Sequence, residues 1–361
     1  MRLLYLYPEE WTGRRAREVH TLSTCVALVH NGVDVVLVTA GGEARLRHHI
    51  IDIAGPGPLP GLQIAVLSRA LGPIRSAGIF ASRFRPWIRS QPRFDIAYII
   101  HPKAAPMLSG ADVPFVYEAH EIFAESPQKS PARQARLEAN ERQVLTTARF
   151  SVATSSALAV ALTTRYNLDR PFTILPNAGL PPLDKIASAA DGPFVYGGSI
   201  ADWKGLDLII PASRAANVPL KIVGGTAPEW KKLGEHLDLT GIAWQPRVPL
   251  ADLPAALTGS RAGLIPTQPE TGPGRYSCPM KLFDYARCGL PVVTTALPSL
   301  DSLATGSWCR QVSMPTLEAW TDALRNFCYT DSDAETARFW AAEHTWNRRA
   351  ELLIEAIRER R

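Results

Sequence analysis

Consecutive rather than alternating apolar positions mark the first part of the chain: RLLYLY (2–7), VDVVLVTA (33–40), DIAYIIH (95–101), PFVYEAH (114–120) and RFSVATS (149–155). Strands covered on both faces lose polar alternation, so these runs predict one sheet with helices on each side. Between the first two, Val19, Leu22, Val26 and Val29 recur at helical spacing, and Asn31-Gly32 closes that helix. Such a strand-helix-strand unit packs in parallel with a right-handed crossover. A further helix is expected near 156–166. The stretch LPNAGLPPLDKIASAADGP (175–193) is rich in proline and small residues and reads as an interdomain linker. The alternation then resumes with PFVYGGS, the helix KGLDLIIPASRAA, PLKIVGG, a helix near 228–237, GIAWQ, a helix near 250–258, RAGLIPT, a helix from about Cys278 and LPVVTT. Residues 316–328 and 335–359 also carry helical patterns. The expected architecture is α/β: two doubly wound parallel-sheet domains, 1–177 and 178–339, with a helix over 340–361 packing back on the first. Two such domains facing a central cleft would bind ligand at the carboxyl ends of their strands.

Composition fits that picture. The chain has 361 residues, 46% hydrophobic and 20% charged, enough for two ordinary cores. A net charge of +5 with dispersed arginines suits anionic ligands better than a nucleic-acid binder. Five cysteines without a Cys-x-x-Cys pair indicate neither a disulfide framework nor a zinc site, and suggest reduced thiols in a cytoplasmic protein. The apolar stretch before Pro8 is too short for a signal peptide, and no run approaches the ~20 residues that cross a bilayer. The segment AGIFASRFRPWIRSQPRF (77–94) interleaves arginines with Ile79, Phe84, Trp87 and Ile88. It reads either as a surface helix covering its own core or as a peripheral contact with an anionic membrane at the inner face.

Candidate chemistry concentrates at strand-to-helix turns of the second half. In FVYGGSIADWKGLDLII (194–210), Gly197 and Gly198 end a strand and Lys204-Gly205 opens a helix. Glycines admit a ligand close to the backbone, helix-terminal amides attract phosphate and lysine adds a mobile charge; an ordinary tight turn with an exposed lysine is the alternative. In TGPGRYSCPMKLFDYARCG (271–289), Gly272 and Gly274 make a flexible loop, Ser277 can cap and Pro279 falls in the first turn. Lys281, Asp284 and Cys288 share one face of the helix that follows. Asp284 could accept from the two hydroxyls of a ribose, or pair with Lys281 on the surface.

These motifs, above all P-x-K-L-F-D-Y-A-x-C-G-L-P-V-V at 279–293, resemble the donor half of retaining GT-B glycosyltransferases of the family 4 type (glycosyl transferases group 1). FVYEAHE (115–121) and TILPNAG (173–179) extend the similarity to the first half. The resemblance implies a hexosyltransferase-type enzyme of polysaccharide biosynthesis. It would move a sugar from a nucleoside-diphosphate donor to a hydroxyl of a glycan or lipid-linked acceptor, without metal or cofactor. Lys204 would then bind the donor diphosphate and assist catalysis, with Gly198, Ser199, Gly274, Arg275, Tyr276, Ser277 and Lys281 around the phosphates. Asp284 would hold the ribose, His120 would contact the transferred sugar, and Gly13 would lie near the acceptor. His120 at a strand end reads equally as a structural residue.

Two positions depart from the family pattern. Ser199 stands where an arginine often follows the glycine of the first donor strand, and Tyr276 stands eight residues before Asp284, where the family has an acid. Arg275 could replace the lost phosphate clamp or be a solvated loop residue; Glu270 is a weaker substitute for the acid. An epimerase or hydrolase of the same fold, or a silent nucleotide-sugar-binding module, stays open. A dehydrogenase does not, since no Gly-x-Gly-x-x-Gly follows the first strand. Asp331-Ser332-Asp333 lies between C-terminal helices with no strand before it, so helix capping rather than metal binding is expected.

Overall fold

The computed structural model describes residues 1–13, 15–125, 130–184, 188–270 and 272–360, with Gly272 and Pro273 described by backbone alone. Arg14, residues 185–187 of the expected linker and Thr271 of the glycine turn lie outside the described residues. The chain forms two compact units, Met1–Pro176 with Trp346–Arg361, and Asn177–Thr345.

The first unit runs β1 (Arg2–Tyr7), α1 (Ala16–His30), β2 (Asp34–Thr39), α2 (Glu43–Ala54), β3 (Leu62–Val66), a hairpin of β4 (Ala70–Leu71) and β5 (Ile74–Arg75), then α3 (Ala77–Ser90). It continues with β6 (Ile96–Ile99), α4 (Ala105–Leu108), β7 (Phe115–Ala119), α5 (Pro131–Thr147), β8 (Phe150–Ala153), α6 (Ser156–Tyr166) and β9 (Thr173–Ile174). A 7-stranded parallel sheet results, ordered β3-β2-β1-β6-β7-β8-β9. Leu3 lies beside Val35 on one side and Ile96 on the other. Leu3, Val35, Leu37, Tyr98 and Val116 are fully buried, as strands covered on both faces require.

The apolar stripe of 77–94 is used inside this unit. Phe80, Phe84 and Ile88 of α3 are buried, Phe80 stacks on Phe84 at 6.0 Å, and Trp87 leans on both Phe84 and Phe94. Arg85 and Arg89 face solvent, and the buried Phe80, Phe84 and Ile88 serve the helix's own core, the first of the two readings of this segment. No helix among the described residues is long and apolar enough to cross a membrane.

The second unit runs β10 (Phe194–Gly197), α7 (Leu206–Ala216), β11 (Leu220–Val223), α8 (Ala227–Gly234), β12 (Ala243–Gln245), α9 (Leu253–Leu257), β13 (Ala262–Ile265), α10 (Gly272–Arg275) and α11 (Met280–Arg287). It closes with β14 (Val292–Thr295), β15 (Cys309–Val312), α12 (Leu317–Arg325) and α13 (Asp331–Glu343). Its 6-stranded parallel sheet is ordered β12-β11-β10-β13-β14-β15, with Val195 beside Lys221 and Gly263. Residues 177–183 are not a free tether. Asn177 donates through Nδ2 to the Cys278 carbonyl at 2.5 Å, and the Leu183 amide donates to the Arg287 carbonyl at 2.9 Å.

The helix expected over 340–361 begins instead at Trp346: α14 (Trp346–Glu359) belongs to the first unit, where it packs on α1. Trp340 stays in α13 of the second unit, stacked on His344 at 3.9 Å and 5.1 Å from Trp308. Asp333 acts at the helix start as expected. Thr330 is the N-cap of α13, and the Asp333 carboxylate accepts from the Thr330 amide at 2.7 Å.

Candidate functional site

In the second unit the turn after β10 and the start of α11 lie together because Tyr285 locks them. Its hydroxyl accepts from the Gly197 amide at 2.6 Å, and its ring covers Gly263, where a Cβ would stand 2.3 Å from Cδ2. Any larger residue at 263 would push α11 away. With α11 fixed, the Lys281 amine lies over the Tyr196 ring, 3.7 Å from its centroid. A Cβ at Gly198 would approach that amine to 3.4 Å. Lys281 Nζ is buried and has no hydrogen-bond partner among the described residues. Burial and the charge of Lys204 both push its pKa well below the usual lysine range.

Lys204 ends a 3₁₀ turn (Asp202–Lys204), and Gly205 then turns the chain into α7. Gly205 has φ +73°, and a Cβ there would come within 1.9 Å of the Pro266 carbonyl oxygen, so only glycine fits. The Lys204 amine sits 3.5 Å from the centre of the Trp203 ring, and burial lowers its pKa to about 8. Two desolvated amines therefore share a strand end, and the charge of Lys204 further depresses Lys281. A group carrying negative charge would reverse both shifts.

Asp284 is half-buried and makes no ion pair with Lys281 among the described residues, which removes the surface pairing from consideration. Burial raises its carboxyl to about 6 against the opposing charge of Arg287. The Ser199 carbonyl accepts from the Tyr196 hydroxyl at 2.7 Å, and Tyr276 is buried. The expected glycine loop is instead the short helix α10, which places Gly274 inside and Arg275 in solvent. Ser277 does not cap α11. Pro279 occupies the N-cap position, and the Ser277 carbonyl accepts from Ser299 Oγ at 2.6 Å. The proline supplies the extended entry to the helix that a capping side chain would otherwise stabilise.

In the first unit His120 follows β7 and is 25% exposed. Its Nε2 lies 3.1 Å from Glu118 Oε1; His20 Nε2 of α1 lies 3.0 Å and Arg349 Nη2 of α14 lies 2.5 Å from the same oxygen. Tyr98 donates its hydroxyl to the other carboxylate oxygen. Glu118 is fully buried. Burial alone would raise its carboxyl, but Arg349, His20 and His120 hold it well below the usual carboxylate range. Nε2 is therefore the ring nitrogen of His120 that faces the carboxylate. His20 packs edge-on against His120 at 4.5 Å, and burial lowers its pKa to about 4.

His20, Glu118 and His120 bring ligand atoms within 4.8 Å of one another, a grouping that resembles a metal site. The Arg349 guanidinium already occupies the shared oxygen, so a further cation there would meet a fixed positive charge. Nearby, Glu141 accepts from the Phe123 and Ala124 amides at 2.7 and 3.0 Å and from Tyr166, fixing the turn after His120. Gly13, at φ +73°, lies in the loop after β1, which Glu18 pins by accepting from the Thr12 amide at 2.8 Å.

Sequence reasoning missed Glu118, Arg349, His20, Tyr196 and Tyr285. The one available signal was an acid inside an otherwise apolar strand, FVYEA, which has to find a buried cation. Its partner lies 231 positions away, beyond any local pattern.

Residues 18–178 match a family model described as Glycosyltransferase Family 4, and residues 206–355 match one described as Glycosyl transferase-like. No curated protein matches the chain. Among solved structures, Anabaena HepE in complex with UDP is similar at a TM-score of 0.73 and 16% identity, over 99% of this chain and 100% of that one. The sucrose-phosphate synthase of Thermosynechococcus elongatus is similar at 0.74 and 15%, over 99% and 98%. WaaG, a glycosyltransferase involved in lipopolysaccharide biosynthesis, is similar at 0.70 and 16%, over 98% and 99%. The fold is therefore GT-B, and the two family matches support a glycosyltransferase of the group 1 family.

Proposed function

We propose that this chain, with a GT-B fold and two halves that match glycosyltransferase family models, transfers a sugar from a nucleoside-diphosphate donor to a hydroxyl of a glycan or lipid-linked acceptor. Transfer proceeds with retention of configuration, and lysine ammonium groups rather than a metal ion offset the charge of the diphosphate. One observation carries this reading: the buried Lys281 amine beside Gly198, without a hydrogen-bond partner among the described residues and with the Lys204 charge close enough to depress it. Buried cations without partners are costly, and a diphosphate supplies the missing charge.

As the bond to the leaving diphosphate breaks, negative charge grows on the phosphate next to the sugar. Lys204 and Lys281 stabilise that charge, an electrostatic contribution to the barrier. The half-buried Asp284 carboxylate accepts from the ribose hydroxyls and sets the register of the donor. His120 presents its ring to the transferred sugar, held by Glu118 at its Nε2. The resemblance alone supports retention.

A charge-assisted contact is worth roughly 1.5–3 kcal/mol. Lys204→Ala is therefore expected to slow turnover of UDP-glucose by about ten- to a hundredfold with the fold intact. Released UDP, measured with and without a glycan acceptor, separates transfer from hydrolysis. Turnover equal to that of the parent protein would remove Lys204 from the mechanism.

A further inference from the structure

We propose that a pocket at the carboxyl edge of the first sheet binds a single sugar ring carrying a carboxylate or a phosphate, and that Arg69 anchors this negative charge. The proposal rests on reading the first unit as the acceptor side and adds the class of acceptor. The pocket measures about 330 Å³ and is lined by Glu9, Glu10, Thr12, Arg15, Arg69 and Arg75. Ligand sites span roughly 300–1,000 Å³, so this one suits a monosaccharide rather than an extended chain. Glu9, Glu10, Thr12 and Arg15 follow the end of β1 and Arg69 follows that of β3, the edge at which open α/β sheets take ligands, while Arg75 comes from β5 of the hairpin.

Among the described residues lining the pocket, all charges but one are paired off. Arg15 binds Glu9 at 2.6 Å, and Arg75 binds Glu10 at 2.7 Å. Arg17 lies 4.0 Å from Glu9 and 3.9 Å from Glu121, and Arg83 donates to the Ser68 carbonyl. Arg69 is half-buried, and its guanidinium has no hydrogen bond or ion pair among the described residues. Its backbone is fixed, since its carbonyl accepts from the Ser76 amide at 3.0 Å.

A guanidinium stays charged at any working pH and presents a planar fork that matches carboxylate and phosphate oxygens. The two glutamates, with their charges already offset, still have lone pairs for sugar hydroxyls. A neutral sugar would satisfy the carboxylates and leave Arg69 unpaired.

Calorimetry on the full chain tests this with glucose, glucuronate, glucose 6-phosphate, inorganic phosphate and UDP. Glucuronate or glucose 6-phosphate should bind at least about tenfold tighter than glucose and tighter than inorganic phosphate; which of the two is preferred identifies the anion. Arg69→Met should reduce that affinity to the level of glucose, and Arg69→Lys should recover part of it. UDP affinity should be the same in all three proteins. Equal affinity for charged and neutral sugars, equal affinity for inorganic phosphate, or discrimination that survives Arg69→Met would overturn the proposal while leaving UDP binding as separate support for the donor reading. Loss of UDP binding with sugar discrimination intact would count against the donor reading alone.

Discussion

Two clusters of buried charge behave in opposite ways. Around Glu118 a carboxylate has Arg349, His20, His120 and Tyr98 within reach of its two oxygens. Around Gly198 two lysine amines are desolvated and lie over aromatic rings, and Lys204 further depresses Lys281. The carboxylate cluster, complete at its anion, holds geometry, whereas the lysine cluster, incomplete at its cations, holds a place for something else. The first therefore acts as a brace behind His120, and the second is the place we propose for the donor's phosphates.

The largest expected effect comes from breaking the complete cluster. Arg349→Met leaves a buried carboxylate without its main partner and should cost about 3–5 kcal/mol in denaturant unfolding. An unchanged midpoint would mean that Glu118 is not held as an anion. The incomplete cluster should respond in the other direction: Lys281→Met removes a desolvated amine that lacks a partner among the described residues, so thermal stability should hold or rise. UDP-glucose affinity should fall roughly tenfold or more in the same variant, since one charge-assisted contact is lost. A destabilised Lys281→Met protein with full affinity would invert the comparison.

A smaller effect follows from protonation. Lys204, lowered to about 8, loses its charge as the pH rises past that value, so donor affinity should decline above it. Asp284, raised to about 6, becomes protonated below that value, so affinity should also decline on the acid side. Titrating UDP-glucose binding between these limits should give a bell, and Asp284→Asn should flatten its acid limb. Persistence of that limb in Asp284→Asn would assign it to another group. Folding follows its own windows. His20 titrates near 4 when folded against about 6.5 unfolded, so the unfolded chain binds more protons between these values and stability falls as the pH drops through them. For Lys204 the same sign applies between about 8 and about 10.4, and bound donor should abolish it.

The legible parts of the sequence were those governed by local periodicity. Uninterrupted apolar runs marked the central strands of both sheets, and Lys204, Lys281 and Asp284 stood out at the turns beside them. By contrast, α5 was not visible, because its buried side is Glu141, Val144 and Leu145, with a carboxylate in place of an apolar stripe. The short β15 lacks a full apolar run, as Arg310 and Gln311 sit within it. Ser277 looked like a cap because serine usually is one, but the extended entry at Pro279 left its side chain without that role. The brace behind His120 was out of reach for a different reason: its two ends, Glu118 and Arg349, are joined by folding and by no spacing rule.

That brace also sets an order of assembly on the ribosome. Glu118 is made early, yet its guanidinium partner emerges only after the whole of Asn177–Thr345 has been synthesised. Domains ordinarily mature from the N-terminus as they appear. Here the second unit can finish from contiguous chain while the first still waits for α14, so the earlier-made half is the later to be completed.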